Sequence, residues 1–122
     1  MPGRRILIVD DDPGFRALAA RVLTGWGHRV TGQAEGVKQA LALAAATHPD
    51  VAIVDVRLPD GDGFALTEEL RAMSRPPEVV VVSSDSSAAH VTAAHRAGAR
   101  GFVAKEDLSE DTLRTLLDSS DR

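Results

Sequence analysis

Six side chains in this sequence are of the right types to hold and transfer charge together: the run Asp10-Asp11-Asp12, the isolated Asp55, and then Ser83 and Lys105. Adjacent carboxylates repel one another and raise each other's pKa, so a cluster of them needs a compensating charge. A hard divalent cation supplies one. Magnesium takes oxygen ligands, keeps several waters, and is commonly held by one or two carboxylates together with phosphate oxygens. A lysine and a hydroxyl beside such a centre suit an incoming phosphoryl group, which carries about −1.5 to −2 charges. A carboxylate is itself able to attack phosphorus and form an aspartyl phosphate. Asp55 suits that role best, because it stands alone at the end of an apolar run and is followed by a loop that can expose it. Taken singly, each residue has an ordinary explanation. Acids at strand ends are favoured by helix N-termini, Asp12 reads as a helix cap, a lone serine satisfies backbone, and a lone lysine is normally solvated. The functional reading rests on these residue types falling together, each at or beside the end of a different apolar segment.

The segments that must position them alternate in type along the chain. Ile6-Leu7-Ile8-Val9 is apolar at every position and reads as a buried strand, about Arg5 to Asp10. A helix follows, with Asp12 as N-cap and Pro13 at its first position. Phe15, Leu18, Ala19, Val22 and Trp26 share one face of it, and Gly27 stops it. His28 to Gln33 is a short polar strand suited to a sheet edge. Val37, Ala40, Leu41 and Ala44 mark a second helix, ended by His48-Pro49. Val51 to Asp55 is another wholly apolar strand closed by an aspartate. The loop "VRLPDGDG" leads to a third helix with Leu66, Leu70 and Met73 inward. Val79 to Val82 is the most apolar strand, and Ser86 to Ala97 is a weak, Ala-rich helix closed by Gly98. Gly101 to Lys105 is the last strand. The final helix opens with Asp107 and Glu110 at capping-box spacing and carries Leu108, Leu113, Leu116 and Leu117 on its apolar side.

Five strands alternating with five helices imply an α/β fold, a parallel sheet covered on both faces. In such sheets the working crevice lies beyond the carboxyl ends of the strands, where Asp10, Asp11, Asp55, Ser83 and Lys105 would gather. Composition narrows the functions available. The 122-residue chain reads as one domain, with an ordered core of about 4–118, 43% hydrophobic and 26% charged residues, so disorder is not expected. The absence of cysteine removes disulfides, thiolate nucleophiles and Cys-zinc sites. A net charge of −4 and only three phenylalanines and Trp26 argue against direct nucleic-acid binding. No membrane-length apolar run or signal-peptide core is evident, which points to a cytoplasmic protein with no membrane partner. His28, His48, His90 and His95 form no i, i+4 pair and read as surface or loop histidines rather than a zinc site. The "DGDG" stretch fails as a calcium loop, because setting Gly63 at the sixth position puts Leu58 at the first.

The pieces "IVDDD", "VDVRLPDGDG", "VVVVSSDSS" and "GFVAKED", with 28 residues from Asp55 to Ser83 and 22 from Ser83 to Lys105, resemble the receiver domain of two-component response regulators over essentially the full length. The resemblance implies a flavodoxin-like, doubly wound five-stranded parallel sheet in the order 2-1-3-4-5 with five helices. It implies that Asp55 takes a phosphoryl group from a sensor histidine kinase or phosphotransfer protein. It also implies that magnesium is bound by Asp11, Asp55 and the backbone carbonyl of Arg57, with Asp10 acting through a metal-bound water. Ser83 and Lys105 would hold phosphoryl oxygens, and Ser83 and Phe102 would form the switch. Pro59 and Gly63 fit the loop after the phosphorylated strand. Arg57, Ser84 and Asp85 occupy positions that tune dephosphorylation, and an Arg57–Asp85 ion pair across the site mouth is expected to slow water attack.

Glu106 follows Lys105 where many members have a cis proline, so a trans bond is expected here. Phe102 lacks a tyrosine hydroxyl and would switch by packing alone. The surface expected to change is the fourth helix, last strand and last helix, which is also the expected face for a homodimer. Only "DSSDR" follows Leu117, which suggests a stand-alone receiver, or the N-terminal fragment of a transcriptional regulator, with no output domain in this chain. Such a protein is a switch rather than an enzyme beyond its own phosphoryl uptake and loss. The alternative is a small haloacid-dehalogenase-like phosphatase with Asp10 as nucleophile and Asp12 two residues on. Against it, Gly14 stands where Thr or Val is expected and Asp55 is left without a role.

Overall fold

The computed structural model describes residues 3–85 and 87–118. Its first strand, β1 (Arg5–Val9), lies between β2 (Arg29–Ala34) and β3 (Val51–Asp55), all parallel. The short β4 (Arg57–Leu58) and β5 (Gly61–Asp62) form an antiparallel hairpin of their own. The main sheet continues through β6 (Glu78–Ser83) and β7 (Gly101–Ala104), giving the order β2-β1-β3-β6-β7. Leaving the hairpin aside, this is the order 2-1-3-4-5 with α1 (Pro13–Gly25), α2 (Val37–Thr47), α3 (Gly63–Arg71), α4 (Ala88–Ala97) and α5 (Glu110–Asp118) as its five helices.

The all-apolar strands are buried on both faces because helices cover both. Successive side chains in a strand point to opposite sides. In β1, Leu7 and Val9 therefore pack toward the side that holds Ala40 and Ala44 of α2 and Leu66 and Leu70 of α3. Ile6 and Ile8 pack toward Ala19 and Leu23 of α1 and Leu113 and Leu117 of α5. The same alternation recurs at Ala52/Ile53 and Val79/Val80. β2 is the polar edge strand its composition suggests.

Two local expectations change, and a third falls partly outside the described residues. Leu18 is half exposed at 52%, and Leu23 takes the buried place in α1. Leu18 fits helical spacing with Phe15 and Val22, and Leu23 fits it with Ala19; the way α1 lies on the sheet selects Leu23. The last strand stops at Ala104, and Lys105–Asp107 form a 3₁₀ turn. That turn displaces the start of α5, so the cap is Ser109 rather than Asp107: Ser109 Oγ accepts the Thr112 N–H at 3.1 Å. Finally, α4 begins at Ala88 with Ser87 as its cap, while the expected start at Ser86 lies outside the described residues. No cis peptide occurs among the described residues, so Lys105–Glu106 is trans as expected.

Candidate functional site

Strand register brings the chemistry to one rim. Val9 pairs with Val54, Asp55 with Val82, and Ser83 with Ala104. The residues just past these ends, Asp10 and Lys105, therefore sit level with Asp55 and Ser83. The α1 N-terminus is fixed at the same rim by Asp12, whose carboxylate accepts the Gly14 N–H at 2.9 Å, the capping role read from sequence.

Asp10 is fully buried. Its backbone N–H donates to the Ala34 carbonyl at 2.9 Å, and its Oδ1 accepts the Asp12 N–H at 2.9 Å. Its Oδ2 lies 2.7 Å from Lys105 Nζ and has no other partner among the described residues. Arg16 donates to the Asp10 carbonyl at 2.6 Å, and the Lys105 ammonium also rests 4.5 Å above the centre of the Phe15 ring. A cation on an aromatic face is held there electrostatically. Phe15 and Arg16 thus frame the site, although the sequence showed Phe15 only as an apolar helix residue and gave no sign of Arg16. Their place in the first turn after the acidic run was the available signal.

Asp55 is nearly buried, and its Oδ2 is 3.9 Å from Lys105 Nζ. Burial pushes its pKa up to about 6, and the nearby Asp10 and Asp11 add to the rise. Lys105 and the hydrogen bond from the Val56 backbone only partly oppose it. Asp11 is exposed. Asp10, Asp11 and Asp55 each offer one carboxylate oxygen, and these oxygens lie within 4.8 Å of one another. An all-oxygen donor set of this kind, with one member open to solvent, fits a hard divalent cation that keeps some of its waters.

The loop beyond Asp55 is tightly tied. Gly63 donates its N–H to the Val56 carbonyl at 2.7 Å, and a Cβ on Gly63 would lie 2.1 Å from the Asp55 carbonyl oxygen, so only glycine fits. Arg57, exposed, pairs with Asp62 in the β4–β5 hairpin. Pro59 is followed by Asp60, whose carboxylate accepts the Val37 and Lys38 N–H groups at 2.7 and 3.1 Å. That contact caps α2 from another loop, where Gly36 offers no side chain.

On the other side of Asp55, Ser83 is buried, and its Oγ accepts the Asp85 N–H at 3.0 Å. Ser84 and Asp85 are exposed. The expected Arg57–Asp85 ion pair is not formed: none is present between these two described residues. Both sit in water, where an exposed pair gains little against the entropy of fixing two side chains. Phe102 is half-buried on β7 and lies 5.5 Å, ring centre to ring centre, from His90. His90 is 5.9 Å from Phe64 in the same sense, and its Nδ1 is 3.0 Å from the Asp85 carbonyl oxygen. It is therefore a half-buried residue of α4 with two aromatic neighbours, not the free surface histidine that sequence suggests.

The family model for the response regulator receiver domain matches residues 6–118. The chain belongs to the response regulator receiver domain family. Among curated proteins, this receiver domain is 34% identical to the Probable transcriptional regulatory protein NarL of Mycobacterium tuberculosis, over 93% of its own length and 53% of that protein. It is 39% identical to the KDP operon transcriptional regulatory protein KdpE of Escherichia coli, over 82% of its length and 44% of the relative. The chain thus spans about half the length of these relatives. Among solved structures, the signal receiver domain of NarL from Mycobacterium tuberculosis superposes with a TM-score of 0.86 at 32% identity, covering 98% of this chain and 97% of the other. A response regulator from Burkholderia pseudomallei, solved with a phosphorylated aspartic acid, calcium ion and citrate, gives 0.83 at 29% identity, covering 93% and 66%. The phosphatase alternative finds no support. In this receiver domain Asp10 is sealed against Lys105, and Asp12 is occupied as a helix cap.

Proposed function

We propose that this receiver domain is a phosphoacceptor switch in which Asp55 takes a phosphoryl group from a sensor histidine kinase or a phosphotransfer protein. The observation that carries the reading is the Asp55 carboxylate at the strand rim, flanked by two further acids and one lysine, with its pKa raised to about 6. At neutral pH such a group is largely ionised yet more basic than an ordinary aspartate, which suits nucleophilic attack. The Asp55 oxygen forms the new bond to phosphorus while the donor atom departs with the electron pair of the old one. Lys105, 2.7 Å from Asp10 and 3.9 Å from Asp55, is placed to share its charge with the new phosphoryl oxygens. The Ser83 hydroxyl accepts from Asp85, so its own O–H remains able to donate to another oxygen.

Asp11, Asp55 and the Arg57 carbonyl would hold magnesium directly, and Asp10 through a water. The bound ion would offset the charge of the phosphoryl oxygens. The relative solved with a phosphorylated aspartate and calcium is consistent with such a centre. Ser83 and Phe102 carry the change outward. Arg57, Ser84 and Asp85 border the path of attacking water and set the lifetime of the phosphoryl group. The output face is α4, β7 and α5, which also serves for homodimer formation. Among the described residues no helix is long and apolar enough to cross a membrane, and we place the switch in the cytoplasm, as a stand-alone receiver or as part of a transcriptional regulator. Apart from its own phosphoryl uptake and loss the domain is not an enzyme.

Incubation with acetyl phosphate and magnesium, then reductive trapping and peptide mass spectrometry, tests this reading. Label on Asp55 is the expected result, and label on Asp10, or on neither, would overturn it.

A further inference from the structure

A continuous chain of contacts runs from the Ser83 hydroxyl to Phe102. Ser83 Oγ accepts the Asp85 N–H at 3.0 Å. The Asp85 carbonyl faces His90 Nδ1 at 3.0 Å. A carbonyl oxygen only accepts, so Nδ1 carries the proton. The His90 ring lies tilted between Phe64 of α3 and Phe102 of β7, at 5.9 and 5.5 Å between ring centres. Those separations are within the range of favourable aromatic pairing, so the ring is fixed in place by its neighbours.

We propose that His90 is a positioning residue that latches the Ser83–Asp85 segment in its phosphate-free arrangement: its Nδ1–H bond to the Asp85 carbonyl resists movement of the Ser83 hydroxyl toward the phosphoryl group. The inference rests on the phosphoacceptor reading of Asp55 and adds to it a residue that sets how readily the switch turns. A contact made in one state and lost in the other shifts the equilibrium by its own free energy. The latch therefore holds the resting state, and weakening it makes the domain easier to switch. Because the ring also touches Phe102, displacement of the loop is felt directly at β7.

Two substitutions separate the parts of the contact. His90→Phe keeps a ring between Phe64 and Phe102 but has no donor. His90→Asn places an amide nitrogen where Nδ1 stands and retains the donor. Asp85 is exposed, so its released carbonyl turns to water and folding is not threatened. Two readouts apply. In the metal-free protein, amide hydrogen exchange at Asp85, followed by NMR, becomes faster in His90→Phe and stays near the parent rate in His90→Asn. With magnesium present, calorimetric titration with beryllofluoride, a phosphoryl mimic, shows His90→Phe binding about two- to tenfold tighter than the parent, the worth of one net hydrogen bond. His90→Asn stays within about twofold. Unchanged exchange in His90→Phe, or affinity that falls in step with melting temperature, overturns the latch. If the parent takes up no beryllofluoride, the phosphoacceptor reading fails by itself, while the exchange rates still decide whether His90 holds the loop.

Discussion

Neutralising Asp55 is expected to make the metal-free domain more stable, because the fold holds that carboxylate at a cost. The Asp55 pKa rises from 3.8 to about 6, with burial the largest cause and Asp10 the next. The native state therefore keeps this proton at pH values where the unfolded chain has lost it. Stability is retained in full below about pH 3.8, falls as pH rises toward 6, and is lower by a constant amount above that. A gap of about two pH units corresponds to roughly 3 kcal/mol. The side chain is only 12% exposed, so solvent screens little of this. Asparagine behaves as the permanently neutral form, and Asp55→Asn is expected to gain roughly 3 kcal/mol at pH 7 but only about 1 kcal/mol at pH 4.5. For a domain of this length the neutral-pH gain is roughly 10 °C in melting temperature.

The assay is thermal unfolding in chelator at both pH values, with parent and variant side by side. His28, whose pKa is lowered by burial and by Arg4, titrates in the opposite sense but is common to both proteins and cancels in the difference. Magnesium then supplies a second arm. It should raise the melting temperature of the parent and leave Asp55→Asn nearly unmoved, since a bound ligand stabilises only the state that holds it. Equal melting temperatures at pH 7, or a gap of the same size at pH 4.5, would refute the electrostatic reasoning.

Three other perturbations test the packing around the site. Lys105→Met leaves the fully buried Asp10 without its one charge partner among the described residues and should cost about 3–5 kcal/mol in urea unfolding, with Asp10→Asn in the same chain restoring part of the loss. Gly63→Ala drives a Cβ into the Asp55 carbonyl and should cost more than about 3 kcal/mol or prevent soluble expression, seen by circular dichroism. Leu23→Ala should lose about 2–5 kcal/mol, whereas Leu18→Ala, at a half-exposed position, should stay within about 0.5 kcal/mol by the same unfolding measurement.

The sheet was legible because four of its strands carry unbroken apolar runs, and only helices on both faces make such runs tolerable. The rim residues were legible for a related reason, since each ends or follows one of those runs. Side-chain choices within a helix were less so. Leu18 and Leu23 both satisfy helical spacing, and the selection between them is made by contacts with β1 and α5 that no local period records. The hairpin at Arg57–Asp62 leaves no pattern because each strand is two residues long. His90 was missed because its partners are distant in sequence: Phe64 lies 26 residues before it and Phe102 12 after. A single polar residue announces no face. The Asp107 cap failed because the 3₁₀ turn at Lys105–Asp107 uses that stretch to bring Lys105 onto Asp10.

That last displacement bears on how three neighbouring acids are made to differ. Asp10 is deepest, yet Lys105 at 2.7 Å and the Asp12 N–H occupy its two oxygens. Asp11 faces solvent, which stabilises its charge without help from the protein. Asp55 has neither remedy in full. It is nearly buried, and the lysine stands 3.9 Å away, already committed to Asp10. Burial, and after it the charge of Asp10, therefore raise the Asp55 pKa to about 6. A more basic oxygen is a better nucleophile, and one whose pKa in the metal-free site is still below neutral is largely ionised at pH 7. The electrostatic cost of holding Asp55 in the resting fold is thus the same property that, under the proposed function, would favour it over Asp10 and Asp11 as the phosphoryl acceptor.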